Sequence, residues 1–337
     1  MTNTHSKSRR LLAAITTAVA LTALAGCTSA GNGNPQESGD DRLSIIHLSQ
    51  AAESDASYSI NLNGMKAAAE DLDVDLTIRS LPEGQIGEAA PYSRLLDQAA
   101  AEGADGFVFT DAHPEALNEQ IRAIAEDTPV MLTAAGAGQV DATGAIGIVA
   151  PDEYALGELS AQRMVDAGVE HPLLITIVPG IPLVDDRNNG FLSVYDVADV
   201  NVLALPTDIL GTPTSITNAI EAALVGDTSI DGVFSVGVLF NPSMLSVREG
   251  LGDRAEDVMW ASIDIGEQAR NALEAGELAF AADQQAYLQG YLTLQSLVFN
   301  IRYGFTPALR ELLVEPGFVT PDNYADYAVN VDSGVRG

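Results

Sequence analysis

The sequence predicts an α/β fold of two similar lobes, each a parallel sheet flanked by helices, and three observations lead there. Short apolar runs alternate with helical patterns of ten to fifteen residues, which is how strand–helix units of parallel sheets read. The alternation restarts once, near Ala150. About 295 residues follow the polar N-terminal stretch, more than one core usually organises.

The elements follow in order. Residues 43–48 are the first expected strand, and 60–72 carry apolar side chains at helical spacing. A strand at 75–78, a helix at 94–102, a strand at 106–109, a helix at 114–126 and a strand at 129–132 continue the pattern. The run 146–149 brings the chain to the restart. Beyond it come a helix at 154–166, a strand at 173–178, a helix at 190–198 and a strand at 201–205. A helix at 215–224, a strand at 232–236, a helix at 244–251 and a strand at 258–263 complete the second set. Ligands of parallel sheets bind beyond the carboxyl ends of the strands. Two such lobes facing each other therefore place both sets of loops in one cleft.

The N-terminus reads as an address. Lys7, Arg9 and Arg10 precede an apolar run at 11–25, too short to span a membrane comfortably, as in a signal peptide covering 1–26. Leu24-Ala25-Gly26-Cys27 resembles a bacterial lipobox, with small residues before a cysteine that receives the lipid. The resemblance implies lipidation at Cys27, a membrane anchor on the outer face and a flexible tether at 27–42. Cys27 is the single cysteine, so no internal disulfide and no cysteine metal site is possible.

The formal net charge is −31, and loss of the three cationic residues of the signal would make the mature chain more acidic still. Such a surface repels nucleic acid and excludes it as a partner. It keeps a secreted protein soluble, and it also suits a salty habitat.

Several segments, in this order, resemble the type I periplasmic sugar-binding proteins, the family of the ribose binders. They are Asn63-Gly64-Met65-Lys66, Ile148-Val149-Ala150-Pro151-Asp152 with Gly157, Asp186-Arg187-Asn188-Asn189-Gly190-Phe191, Ser229-Ile230-Asp231-Gly232-Val233-Phe234, and 282–291 with its Asp283-Gln284-Gln285. The resemblance covers essentially the whole mature chain. It implies a three-crossing hinge, with 43–150 plus 285–314 in one lobe and 151–284 plus 315–337 in the other. It also implies a monomeric receptor that closes by bending on an uncharged sugar or polyol and delivers it to ABC permease subunits. No catalytic role and no cofactor is implied.

Sugars present hydroxyls that donate and accept and flat patches of C–H, so their sites use acids, amides, arginine and aromatics. The family pattern puts polar contacts at Asp55, Asp264 and Gln284, a stacking ring at Tyr58 and a planar fork at Arg187. Each residue also has a structural reading: Asp55 could cap a helix, and Arg187 could pair with Asp185 or Asp186. Where ribose binders carry an acid–arginine pair this chain has Ala134 and Ala135, and Gly237 replaces a common asparagine. Ribose is therefore not the expected ligand. A bulkier solute, or one held partly by backbone amides at 135–138, fits better.

Other chemistry has little support. The turn at Gly136 and Gly138 lacks the lysine and spacing of a phosphate loop. His47, His113 and His171 show no metal-ligand spacing, Trp260 reads as core, and no nucleophile elbow is present. An alternative role is a ligand sensor that reports to a membrane kinase, which a neighbouring kinase gene rather than a permease gene would indicate.

Overall fold

The structure is a computed structural model that describes residues 42–336, apart from 54, 83–87 and 332. The expected signal at 1–26, Cys27 and the tether as far as residue 41 lie outside the described residues.

The first sheet takes β1 (Leu43–Ser49), β2 (Val74–Ser80), β3 (Gly106–Phe109), β4 (Val130–Thr133) and β5 (Gly147–Pro151). Between them run α1 (Ala56–Asp71), α2 (Ala89–Glu102), α3 (Pro114–Ala125) and the single turn α4 (Val140–Thr143). The chain then passes to the second sheet through α5 (Glu153–Asp166), β6 (Pro172–Ile177), α6 (Pro182–Leu192), β7 (Asn201–Leu205), α7 (Pro213–Gly226), β8 (Gly232–Ser235), α8 (Asn241–Gly250), β9 (Met259–Ile263), α9 (Glu267–Glu274) and β10 (Phe280–Asp283). It returns with α10 (Ala286–Tyr303) and β11 (Glu311–Val314), and crosses again into β12 (Gly317–Val319) and α11 (Tyr324–Ala328). Strand orders are β11-β5-β4-β3-β1-β2 and β12-β10-β9-β8-β6-β7, so the two sheets repeat one topology.

The expected fold class is the one found, with one difference. β12 runs antiparallel to β10, while the other pairs are parallel. A two-residue link from β11 turns the chain directly into the second sheet, where β12 lies beside β10. The chain passes between the sheets after β5, after β10 and after β11. These passages are tied together: Asp152 N donates to Val314 O (3.0 Å), and Gln285 Nε2 donates to Glu315 O (2.8 Å).

Strands covered on both faces need apolar residues at consecutive positions. In β3, Phe107 and Phe109 pack on one face with Tyr92, Leu96 and Leu117, while Val108 packs on the other with Met65, Leu294 and Leu297. The second lobe has its own core around Phe191, Phe234, Phe280 and Trp260. Trp260 is buried and donates from Nε1 to Ala255 O (3.0 Å), the core role its apolar neighbours predict.

Two helix crossings position the site, one per lobe, and both rest on glycine. A Cβ on Gly64 of α1 would fall 2.0 Å from Tyr287 O of α10, and one on Gly290 2.0 Å from Asn61 O. In the other lobe Gly157 of α5 faces Arg187 O and Gly190 of α6 faces Tyr154 O, again at 2.0 Å. Only glycine lets these backbones meet.

Three helix starts differ from expectation, the simplest being α2, which begins at Ala89 rather than at 94. α1 begins at Ala56 because Asp55 caps it, its Oδ1 accepting from Tyr58 N (2.8 Å). α6 occupies 182–192 rather than 190–198, starting with Pro182 in the first turn, where its missing N–H is harmless. Its polar run 185–189 hides the helical period, because the face it buries carries Arg187 as well as Phe191.

Candidate functional site

A cavity of about 320 Å³ lies where the carboxyl ends of both sheets' strands meet. From the first lobe it takes Gln50 after β1, Thr110 after β3, Ala134 after β4, and Asp55, Tyr58 and Asn61 at the start of α1. From the second it takes Glu153 of α5, Arg187 of α6, Asp264 after β9 and Gln284 after β10, while Gln289 of α10 belongs to the first lobe. The structure thus brings Asp55, Tyr58, Arg187, Asp264 and Gln284 onto one wall system. Asp283 and Gln285 lie outside this cavity and line another near Arg336.

Arg187 is 7 % exposed and organises the second lobe's side. Its Nε donates to Glu153 Oε2, its Nη2 to Glu153 Oε1 (3.0 Å) and Gln284 Oε1 (3.2 Å), and its Nη1 to Val236 O (2.8 Å). Gln284 Nε2 in turn donates to Asp264 Oδ1 (2.5 Å), and Gln289 Nε2 donates to Gln284 O (2.7 Å). Glu153, Arg187, Gln284 and Asp264 form one hydrogen-bonded chain across the floor. The pairing of Arg187 with Asp185 or Asp186 is corrected to Glu153. In α6 Asp185 and Asp186 occupy turns facing elsewhere, Asp185 accepting from Gly180 N (3.0 Å).

Asp264 has a positive φ of 68°, as has Ala134 at the matching place in the first sheet (61°). Such backbone is costly for residues with a side chain and collects where a site demands it. Burial pushes the Asp264 carboxyl up to about 6, against the pull of Arg187 and Gln284. Asp55 adds to that rise across the cavity.

On the first lobe's side, Tyr58 lines the cavity while its hydroxyl turns inward to His47 Nε2 (2.8 Å). His47 Nδ1 faces Val108 O (3.0 Å), which can only accept, so Nδ1 carries the proton and Nε2 accepts from Tyr58. Burial lowers His47 to about 4, keeping it neutral. With its polar end held, Tyr58 offers the cavity its ring. Asp55 both caps α1 and lines the cavity, so its two sequence readings are compatible.

Sequence reasoning missed Glu153, Gln50, Asn61 and Gln289. Gln50 Oε1 accepts from Ala112 N (2.7 Å), while its Nε2 has no partner among the described residues. Asn61 Nδ2 reaches Thr133 Oγ1 and Ala286 O (both 3.4 Å), while its Oδ1 is unpartnered. Both side chains are at least 95 % buried. The one available signal was position, just after a strand or one turn into a helix that opens on the cleft. The backbone amides at 135–138 are poorer candidates than expected: Ala135 N donates to Thr133 O (2.6 Å) and Gly138 N to Glu311 Oε2 (3.2 Å). Opposite Arg187, a Cβ on Gly237 would sit 3.8 Å from Nη1, so glycine there leaves room.

Residues 51–302 match the model of the periplasmic binding protein domain. A carbohydrate transporter protein from Acidothermus cellulolyticus, solved with myo-inositol, is 27 % identical, with a TM-score of 0.75, covering 88 % of this chain and 100 % of its own. A glucose-galactose binding protein from Geobacillus stearothermophilus is 17 % identical, with a TM-score of 0.72, covering 84 % and 99 %. A periplasmic solute-binding protein from Actinobacillus succinogenes, solved with D-allose, is 18 % identical at a TM-score of 0.72, covering 85 % and 100 %. No curated protein matches the sequence.

Proposed function

The chain belongs to the periplasmic binding protein domain family, and from that premise we propose that it is the extracytoplasmic solute-binding lipoprotein of an ABC importer, taking a sugar or related polyol into the interlobe cleft. The observation that carries this reading is the cavity itself. Acids, amides, one guanidinium and a tyrosine ring from both lobes converge on a space of about 320 Å³, the kind of lining a polyhydroxylated ring requires. The 27 % identical relative solved with myo-inositol supports the solute class.

Asp55 and Tyr58 contact the solute from the lobe of 43–150 plus 285–314; Arg187, Asp264 and Gln284 contact it from the lobe of 151–284 plus 315–337. A ligand touching both lobes favours the closed state by its differential affinity, and closure assembles the face the permease reads. Lipid on Cys27 holds the receptor beside that permease. No helix among the described residues is long and apolar enough to cross a membrane.

The test is a thermal-shift screen of the mature chain against neutral sugars, amino sugars, cyclitols and nucleosides, followed by calorimetry. A ligand at one hundred times its Kd stabilises the folded state by about 2.7 kcal/mol and raises Tm accordingly. Tm shifts confined to nucleosides would overturn the sugar assignment. For the anchor, Cys27→Ser should release the protein into the medium.

A further inference from the structure

The balance of charges and hydrogen bonds inside the cavity narrows the solute further, resting on the carbohydrate reading above. Asp55, Glu153 and Asp264 line the cavity against the single guanidinium of Arg187. Arg187 keeps a single N–H for the solute. Glu153, Gln284 and the Val236 carbonyl take all but one of its N–H bonds. Its pair with Glu153 is neutral overall, which leaves Asp55 from one lobe and Asp264 from the other facing one space without a cation. Asp264 uses Oδ1 on Gln284, and among the described residues no hydrogen bond to Oδ2 is found.

Two buried amide atoms on the same wall point to a ligand independently. Asn61 Oδ1 wants a donor and Gln50 Nε2 wants an acceptor, and neither has a partner among the described residues. Leaving such groups unmade is costly. His113, also on the wall with Nε2 unpartnered, can donate or accept by tautomer and does not alter the balance. A small side pocket of about 80 Å³ shares Ala134, Glu153 and Leu183 with the cavity and adds two acids, Asp186 and the buried Asp111, with no further cation.

The unmet capacity is mainly acceptor and negative. A hydroxyl brings one donor and two acceptor sites, whereas an ammonium brings three donors, no acceptor and a compensating charge. We propose that the ligand is a polyol bearing a protonated amine, an amino sugar or aminocyclitol, whose ammonium sits between Asp55 and Asp264 while its hydroxyls serve Gln50 and Asn61. This departs from the uncharged solute that the family resemblance implies. The acid–arginine pair replaced by Ala134 and Ala135 is neutral overall, so its loss leaves the excess of Asp55 and Asp264 unchanged.

Calorimetry of the mature chain near neutral pH with matched pairs tests this: D-glucose against D-glucosamine, D-galactose against D-galactosamine, and myo-inositol against an inosamine, each amine also in its N-acetyl form. In at least one pair the amine should bind about tenfold tighter or better, and N-acetylation should abolish the advantage. Asp55→Asn should cut the amine-to-neutral ratio several-fold; an unchanged ratio overturns the proposed seat. If neutral members bind as tightly as the amines or tighter, the amine proposal falls and the carbohydrate reading stands. If no member of any pair binds, both fall.

Discussion

Asp264 shows how one residue couples the site to stability. Its carboxyl titrates near 6 in the folded protein against an ordinary value of 3.8. Between about pH 4 and pH 6 the folded state therefore holds a proton that the unfolded chain releases, and this group's contribution falls as pH rises through that window. Two units correspond to about 3 kcal/mol. His47 works the other way: lowered to about 4 from 6.5, it contributes stability that is lost as pH falls through that range. Asp264→Asn should thus gain on the parent by about 3 kcal/mol as pH rises from about 4 to about 7, read by urea unfolding. A difference between the two proteins that does not vary with pH refutes the assignment. For binding, Asp264→Ala should cost about 1 to 3 kcal/mol per lost hydrogen-bond partner on the ligand, roughly 5- to 150-fold in Kd, with the far-UV spectrum unchanged. Unaltered affinity would remove Asp264 from the site.

At the scale of elements, the two glycine crossings matter most, because the four helices they join carry much of the cavity wall. α1 brings Tyr58 and Asn61, α10 brings Gln289, α5 brings Glu153 and α6 brings Arg187. Gly157→Ala places a methyl 2.0 Å from Arg187 O, so α5 and α6 must part. Overpacking of this kind costs about 1 to 3 kcal/mol. It should also weaken ligand binding, since the Glu153–Arg187 pair spans the same two helices. Gly250→Ala at the end of α8, where a Cβ meets nothing within 4 Å, is the control and should be neutral or stabilising by about 0.5 to 1 kcal/mol. Equal denaturation midpoints for the two variants would show that the crossing tolerates separation. Gly64, Gly157, Gly190 and Gly290 were all part of the sequence resemblance, so the contact points of these helices were legible. The start of α6 was not, because helical periodicity shows only where the buried face is apolar, and this one buries an ion pair.

For the whole molecule, the three passages between sheets are short and hydrogen-bonded to one another, which favours rotation of the lobes about a common strip over sliding. Saturating ligand should reduce the radius of gyration measured by small-angle X-ray scattering. An identical scattering curve with and without a ligand that calorimetry shows to bind would argue against closure. The acceptor-rich cleft belongs to this scale too, since Asp55 and Asp264 approach only when both lobes contribute to one cavity.

The sequence by itself determined the alternation of strands and helices as far as residue 263, its restart near Ala150 and the residues at the carboxyl ends of those strands. These follow from local periodicity, caps and glycine positions, which act over a few residues. The tertiary structure alone decided that Arg187 belongs to Glu153, 34 positions away. It also decided that Asn61 meets Ala286 across 225 positions, and that the cavity's acids outnumber its free cations. Charges and hydrogen bonds are satisfied in space, between segments whose separation along the chain leaves no local pattern.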